Sequence, residues 1–341
     1  MVKRMMAEIR TEIRTGTRIA AITVTYNRTK TLEKCISALM SQSHPVDEIV
    51  IVDNHSGEKE QARISEIVAR QEAAGKERGT SFHILWLEDN MGGAGGFEAG
   101  MKYAMEKLQP DYYWIMDDDA YPREDCLEQL LEGMDALPDA GCVCPLIFGV
   151  DLKKYQIFHH KQLTPLILRT RPVSEYPESC TEPVRINANA FVGPLFKREV
   201  VEKLGVADGS LFIYGDDTEY TFRVSRKYGV YLLPQAVIDH QDAPTLDANM
   251  SAKGWWKEYY GYRNQFFLIR EAHQNPIVRG AAYGALTLRI LAVIAKGRLR
   301  GYHALRGRML LKAVSDGIHD KRGRTVDPSA YMQYLKEHNI A

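Results

Sequence analysis

Three consecutive carboxylates end an apolar run: Tyr112-Tyr-Trp-Ile-Met116 leads directly into Asp117, Asp118 and Asp119. Adjacent aspartates repel one another, and a bound cation relieves that repulsion. Alternation along an extended segment places Asp117 and Asp119 on one side and Asp118 on the other. Two carboxylates on one side suit a hard divalent ion, Mg²⁺ or Mn²⁺, both of which favour oxygen ligands. The plainer reading is a solvated turn, or a cap from Asp119 or Asp125 for a helix over about Arg123 to Leu131. A cap explains one aspartate and leaves two. A second pair, Asp216-Asp217, follows Phe212-Ile-Tyr-Gly215. Like-charge crowding raises one pKa of such a pair, and desolvation by Phe212 and Tyr214 adds to it. Glu219 and a cap at Thr218 are the competing readings.

The elements that position these groups alternate at short intervals. Ile19 to Thr25 is an apolar, β-rich run ending in Tyr26-Asn27-Arg28. Thr31 to Gln42 carries Leu32, Cys35, Ile36, Leu39 and Met40 at helical spacing. Glu48 to Asp53 reads as a buried strand and about Glu58 to Ala74 as a helix. Phe82 to Leu87 is a third strand, leading into Asn90-Met-Gly-Gly-Ala-Gly-Gly96 and a helix from about Phe97 to Leu108. Tyr112 to Met116 is the fourth strand. Continuous apolar strands alternating with helices predict an α/β fold, a mostly parallel sheet covered on both faces. Ligands of such sheets sit at the carboxyl ends of the strands. The polar residues cluster there: Asn27 and Arg28, Asp53 and Asn54, Asn90, Asp117 to Asp119.

Bulk properties exclude several classes. The 341 residues are 45% hydrophobic and 26% charged, an ordinary globular composition with length for a sizeable core. Lys plus Arg and Asp plus Glu are both 44, so a dedicated nucleic-acid binder is not expected. Five cysteines without zinc spacing predict a reduced, cytosolic setting, with Cys142 and Cys144 in the core. The N-terminal stretch has no apolar signal region, because Lys3, Arg4, Arg10 and Arg14 interrupt it. The late apolar stretch from Ala281 to Lys296 is broken by Arg289 and reads as short of a membrane span.

Six pieces in order carry a resemblance. They are Thr23-Val-Thr-Tyr-Asn-Arg28, Ile49-Val-Ile-Val-Asp-Asn-His-Ser56, Asn90-Met-Gly-Gly-Ala-Gly-Gly-Phe97, Trp114-Ile-Met-Asp-Asp-Asp119, Gly215-Asp-Asp-Thr-Glu-Tyr220 and His240. Over about residues 18–265 the chain resembles the family-two nucleotide-sugar glycosyltransferases of the GT-A fold. Within them it is most similar to galactofuranosyltransferases, with rhamnosyltransferases next. The Asp-Asp-Asp form and the double-glycine loop favour the former.

The resemblance implies an inverting, metal-dependent transfer from UDP-galactofuranose, with dTDP-rhamnose as the alternative donor. It implies that Thr25, Tyr26, Asn27 and Arg28 flank the base and phosphates and that Asp53 holds the uracil or ribose. Asn90, Gly92, Gly93, Asp117 and Asp118 would meet the donor. Asp117, Asp119 and His240 would hold Mn²⁺ or Mg²⁺, with Asp239 or Asp242 orienting the imidazole. Asp217 would be the base and Asp216 a contact to acceptor hydroxyls. Chemistry agrees in part: Arg28 can meet phosphate oxygens, and a carboxylate accepts from ribose hydroxyls or a base N–H. Asp53 also reads as a helix cap or turn. A more distant alternative, a nucleotide-dependent oxidoreductase, needs a third glycine. Gly93 and Gly95 fit its spacing, but the third position falls on Glu98. The glycines instead suit close approach of backbone N–H groups to a diphosphate.

Trp255-Trp256, with Tyr259-Tyr260, reads either as an acceptor platform or as core. From Arg270 to Arg324 twelve basic residues face three acidic ones, with Leu286, Ile290, Leu291 and Ile294 at helical spacing. A basic amphipathic helix suits an anionic membrane surface. The expected organisation is a basic lead-in over 1–18, a transferase unit over 19–245 and a helical, basic, membrane-associating region over 246–341. The expected partners are a nucleotide-sugar donor, a glycan or lipid-linked glycan acceptor and the membrane surface. A homo-oligomer stays open, and the expected location is the cytoplasmic face of the cell membrane, held peripherally.

Overall fold

The computed structural model describes residues 16–173, 181–241, 251–299 and 304–340. Residues 1–15 of the lead-in, Cys180 and Asp242 lie outside them. In chain order the first half runs β1 (Ile19–Thr25), α1 (Thr29–Met40), β2 (Glu48–Asp53), α2 (Glu58–Arg78), β3 (Ser81–Trp86), α3 (Gly92–Tyr103), β4 (Tyr112–Asp117), β5 (Ala120–Pro122) and α4 (Cys126–Ala136). The strands β6 (Ala140–Gly149), β7 (Lys154–Tyr155), β8 (His160–Leu163), β9 (Thr170–Pro172), β10 (Val184–Ile186), β11 (Ala188–Asn189) and β12 (Val192–Lys197) follow. Next come α5 (Arg198–Leu204), α6 (Asp216–Ser225) and β13 (Gly229–His240). The chain ends in four helices, α7 (Trp255–Ala272), α8 (Pro276–Leu299), α9 (Ala304–Ile318) and α10 (Pro328–Glu337).

The main sheet has the order β10-β13-β6-β12-β4-β1-β2-β3. The half made of β4, β1, β2 and β3 is parallel throughout. The other half is mixed: β12 runs antiparallel to both neighbours, while β13 and β6 are parallel. Period-two patterning explains why both faces carry core. Ile19, Ala21, Ile49, Ile51, Trp114 and Met116 point to one side, against α1, α2 and α4. Ala20, Ile22, Val50, Val52, Tyr113 and Ile115 point to the other, against α3 and α6. Register then levels the strand ends: Thr25 stands beside Asp53, and Val24 beside Asp117. A small second sheet, β11-β8-β9, flanks α6.

Two expectations about elements change. The helix after β3 starts at Gly92, not near Phe97, so the glycines form its first turns. A Cβ on Gly96 or Gly100 would meet Val24 or Ile22 of β1 within 2.6 Å, so these glycines let α3 lie close on the sheet. Val230-Tyr-Leu-Leu233 and Val237-Ile-Asp-His240, which read in the sequence as a short strand and a separate following segment, join in one bulged strand. Cys142 and Cys144 are buried in the core as expected.

Candidate functional site

The chain turns immediately after β4. Asp117 ends the strand, Asp118 and Asp119 form a turn, and β5 runs back against β13. That turn, not strand alternation, separates Asp118 from its neighbours. Pairing of β5 with β13 sets Ala120 opposite His240, which brings the imidazole to the aspartates. One ligand atom from each of Asp117, Asp119 and His240 lies within 4.8 Å of the others. Asp118 turns away and accepts from the Thr25 hydroxyl at 2.7 Å and pairs with Arg28 at 3.2 Å. Arg28 also bonds Asp119.

His240 is oriented by Gln156. The Gln156 Oε1 lies 3.0 Å from His240 Nδ1 and 2.8 Å from His159 Nε2, so it accepts from both imidazoles. An imidazole that donates through Nδ1 offers Nε2 as a lone pair. That Nε2 faces Asp119 Oδ1 at 3.4 Å. Two electron-rich atoms facing each other are reconciled by a proton or a cation between them. Asp239, expected to orient His240, instead pairs with Arg123 at 2.8 Å.

Electrostatics divide the acidic groups. Burial, reinforced by Asp119 and Asp118, pushes Asp117 well above the carboxylate range. Burial also raises Asp118, to about 6, against the pull of Arg28 and Thr25. Burial works the same way on Asp119, but His240 and Arg28 outweigh it and hold this carboxylate at about 2. Asp216 is pushed up to about 7 by burial and then by Asp217. The pair crowding expected from the sequence therefore falls on Asp216.

A cleft of about 590 Å³ opens beside the aspartates. Thr25, Tyr26, Arg28, Asn90, Gly92, Gly93, Asp117, Asp118 and Trp256 line it. Asn54, which the sequence left as a strand-end polar residue without a role, shapes its floor. Its amide accepts from Met91 N at 2.8 Å and donates to the Gly92 carbonyl at 2.9 Å. Gly92 has φ +71°, and its Cα lies so close to the Phe212 carbonyl that a Cβ would overlap it. Gly93 faces open space.

The loop before α6 is held in rare backbone geometry. Phe212 and Tyr214 have φ of 65° and 64°, and Gly215 has 91°. For bulky residues that conformation persists only when the surroundings over-determine it. The surroundings are Asn264 and Arg263 of α7, both buried. The Asn264 amide nitrogen lies 3.0 Å from the Leu211 and Ile213 carbonyls and 2.6 Å from that of Tyr214. Arg263 donates to the Leu211 carbonyl at 3.0 Å. The loop delivers Asp216 and Asp217 to the start of α6. Asp217 Oδ1 accepts from Thr218 N at 2.5 Å, and Oδ2 pairs with Lys161 of β8 at 3.1 Å. Asp216 and Asp217 lie near enough to contribute to the rise at Asp117.

Not every expected residue reaches the cleft. Asp53 is wholly buried and accepts from Ser56 N at 3.1 Å and Gln61 at 2.9 Å, so its carboxylate serves its own turn. Asn27 has φ 54° and accepts from Gly57 N at 2.9 Å, bracing the adjacent loop. Trp255 is buried in the core with Tyr259 and Tyr260, leaving Trp256 as the tryptophan on the cleft. The far wall comes from the C-terminal end of the chain: Arg324, Pro328, Ser329 and Met332.

The profile of glycosyl transferase family 2 matches residues 20–205. The chain belongs to that family. The galactofuranosyltransferase GlfT1 of Mycolicibacterium smegmatis is 26% identical over 265 residues, 74% of this chain and 83% of that protein. The dTDP-rhamnosyl transferase RfbF of Shigella flexneri is 26% identical over 262 residues, 75% of this chain and 81% of its own. Among solved structures, S. aureus TarS 1-349 in complex with UDP superposes with a TM-score of 0.57 at 14% identity, covering 89% of this chain and 80% of that one. The mannosyltransferase PcManGT from Pyrobaculum calidifontis, with GDP-Man and Mn2+, gives 0.54 at 16% identity, covering 90% and 89%. These neighbours are GT-A glycosyltransferases, and the family-2 chain shares their fold. Both kinds of relative anticipated from the motifs are present.

One feature of this family-2 chain departs from the sequence reading. Within α8, Pro276–Gly297 is long and apolar enough to cross a membrane by length and composition, and only 17% of it is buried. Ala282, Leu286 and Ile290 pack inward, while Ile277, Leu288 and Leu291 are exposed.

Proposed function

We propose that this chain is an inverting, metal-dependent glycosyltransferase that moves galactofuranose from UDP-galactofuranose to a lipid-linked cell-surface glycan. The observation that carries this reading is the convergence of Asp117, Asp119 and His240 near a cleft that adjoins Asp216-Asp217. Two carboxylates and one imidazole, each with a free ligand atom, form a donor set that suits Mn²⁺, with Mg²⁺ as the harder alternative. A divalent cation held there neutralises the charge of a departing diphosphate. Arg28, already tied to Asp118 and Asp119, adds a guanidinium for phosphate oxygens. Backbone at Gly93 is open to the diphosphate, and Trp256 offers a ring to a sugar.

Asp217 takes the proton of the acceptor hydroxyl. The hydroxyl oxygen bonds to the anomeric carbon as the bond from that carbon to the diphosphate breaks, with attack from the opposite face. Lys161 and Thr218 fix the Asp217 carboxylate for this task. Asp216, buried and protonated near neutrality, donates to an acceptor oxygen. The basic C-terminal helices and the exposed apolar residues of α8 hold the enzyme peripherally at the cytoplasmic face of the membrane.

The test is release of nucleoside diphosphate from a panel of sugar donors, with Mn²⁺ and with chelator. UDP-galactofuranose is expected to turn over, and only with the metal. The similarity to RfbF favours dTDP-rhamnose as the second reading, which the same panel resolves.

A further inference from the structure

A second cavity, of about 380 Å³, meets the end of the strained loop at Gly215. Gly215 and Thr218, the residues that bracket Asp216-Asp217, form part of its wall. Arg169, from the loop before β9, and Arg289, from α8, form another. No acidic residue lines this cavity. Thr170 and Gln265 add neutral polar groups. Arg169 is exposed and Arg289 also hydrogen-bonds Tyr262; two arginines on one cavity without an acidic partner suit a doubly charged anion, which both can meet with bidentate hydrogen bonds.

The surroundings say what carries the anion. Arg289 stands in the apolar segment of α8, next to Leu288, which is 69% exposed, and near Leu291. Leu166, in the loop that presents Arg169, is exposed too. An anion site next in the chain to the proposed base, with exposed leucines on the helix that supplies Arg289, matches one ligand chemistry: a phosphate ester on a hydrocarbon chain. We propose that this cavity binds the phosphate of a lipid-linked acceptor through Arg169 and Arg289, with the exposed apolar residues of α8 taking its lipid. This rests on the glycosyltransferase reading above and adds where the acceptor's phosphate and lipid are held.

Farnesyl diphosphate is a soluble probe of that chemistry. Calorimetric titration is made into protein already saturated with nucleoside diphosphate and Mn²⁺, so that the cleft is filled. Binding is expected in the wild type. The double variant R169Q/R289Q should weaken it at least about ten-fold, and R289K should lose less than R289Q because it keeps the charge. Inorganic diphosphate should bind at least about ten-fold more weakly than the farnesyl ester, since it lacks the apolar part. Farnesol, which lacks the anion, should bind weakly as well. Nucleotide affinity and unfolding temperature of each variant report that the fold stands. Unchanged farnesyl diphosphate affinity in the folded double variant, or no binding to the filled wild type, overturns the proposal. Equal affinity for inorganic diphosphate overturns its lipid part. Failure of nucleotide to bind the wild type would strike the donor reading instead, and is scored separately.

Discussion

Replacing Gly92 with alanine tests how the cleft beside the aspartates is built. At φ +71° an alanine pays about 1–2 kcal/mol for the left-handed conformation. Its Cβ would stand 1.9 Å from the Phe212 carbonyl oxygen. That atom is backbone, and it also accepts from Ala94 N at 3.1 Å, so it cannot swing aside. Forced overpacking of this kind costs about 1–3 kcal/mol. Gly92→Ala should therefore lose about 2–5 kcal/mol, a fall in Tm of roughly 4–10 °C at about 2 °C per kcal/mol. Phe212 begins the loop that leads to Asp216 and Asp217, so turnover should fall with stability. Gly93→Ala is the paired control. Nothing stands within 4 Å of a Cβ there, and alanine in a first helical turn is neutral or stabilising by up to about 1 kcal/mol. If a diphosphate packs on this backbone, the methyl weakens nucleotide binding while Tm holds. Differential scanning calorimetry without ligand and titration with UDP read the two effects. A Gly92→Ala protein with wild-type Tm would refute the packing argument. A Gly93→Ala protein with wild-type affinity would refute the close approach.

Asp217→Asn should keep UDP binding and lower kcat by about 10²–10⁴-fold, as expected for a lost base; normal turnover removes Asp217 from that role. Gln156→Leu should weaken Mn²⁺ binding by about 10–100-fold, because it frees the ring of His240, and titration of Mn²⁺ into the nucleotide-free protein reads it. Asp216 is pushed up to about 7, so the folded chain keeps a proton that the unfolded chain releases near its ordinary pKa of about 4. Stability in chelator should therefore fall as pH rises from about 4 to 7, and Asp216→Asn should flatten part of that fall in a Tm series. Equal slopes in both proteins would show that Asp216 carries no such proton.

The parallel half of the sheet was legible because each strand is short, apolar and bounded by polar residues. The aspartate cluster was legible for the same reason, being contiguous in sequence. Asp117, Asp119 and His240 come together for a reason that alternation did not supply: a turn and the β5–β13 pairing set Asp119 beside Asp117 and His240. Asp53 and Asn27 have the residue types of ligands, but such types also build turns, and here their side chains are engaged by Ser56, Gln61 and Gly57. Gln156, Lys161 and Asn264 lay beyond sequence reasoning. Each acts on a group 50 or more residues away, and nothing local marks a glutamine, lysine or asparagine for such a contact. The glycine run shows the limit from the other side: its composition suggested a ligand loop, while only Gly92 and Gly93 line the cleft and Gly96 packs α3 on Val24 of the sheet.

The far wall of the cleft is made by Arg324 and α10, within the last 18 residues of the chain. A protein truncated before that point would keep every strand and every carboxylate discussed above, yet its cleft would be open on one flank.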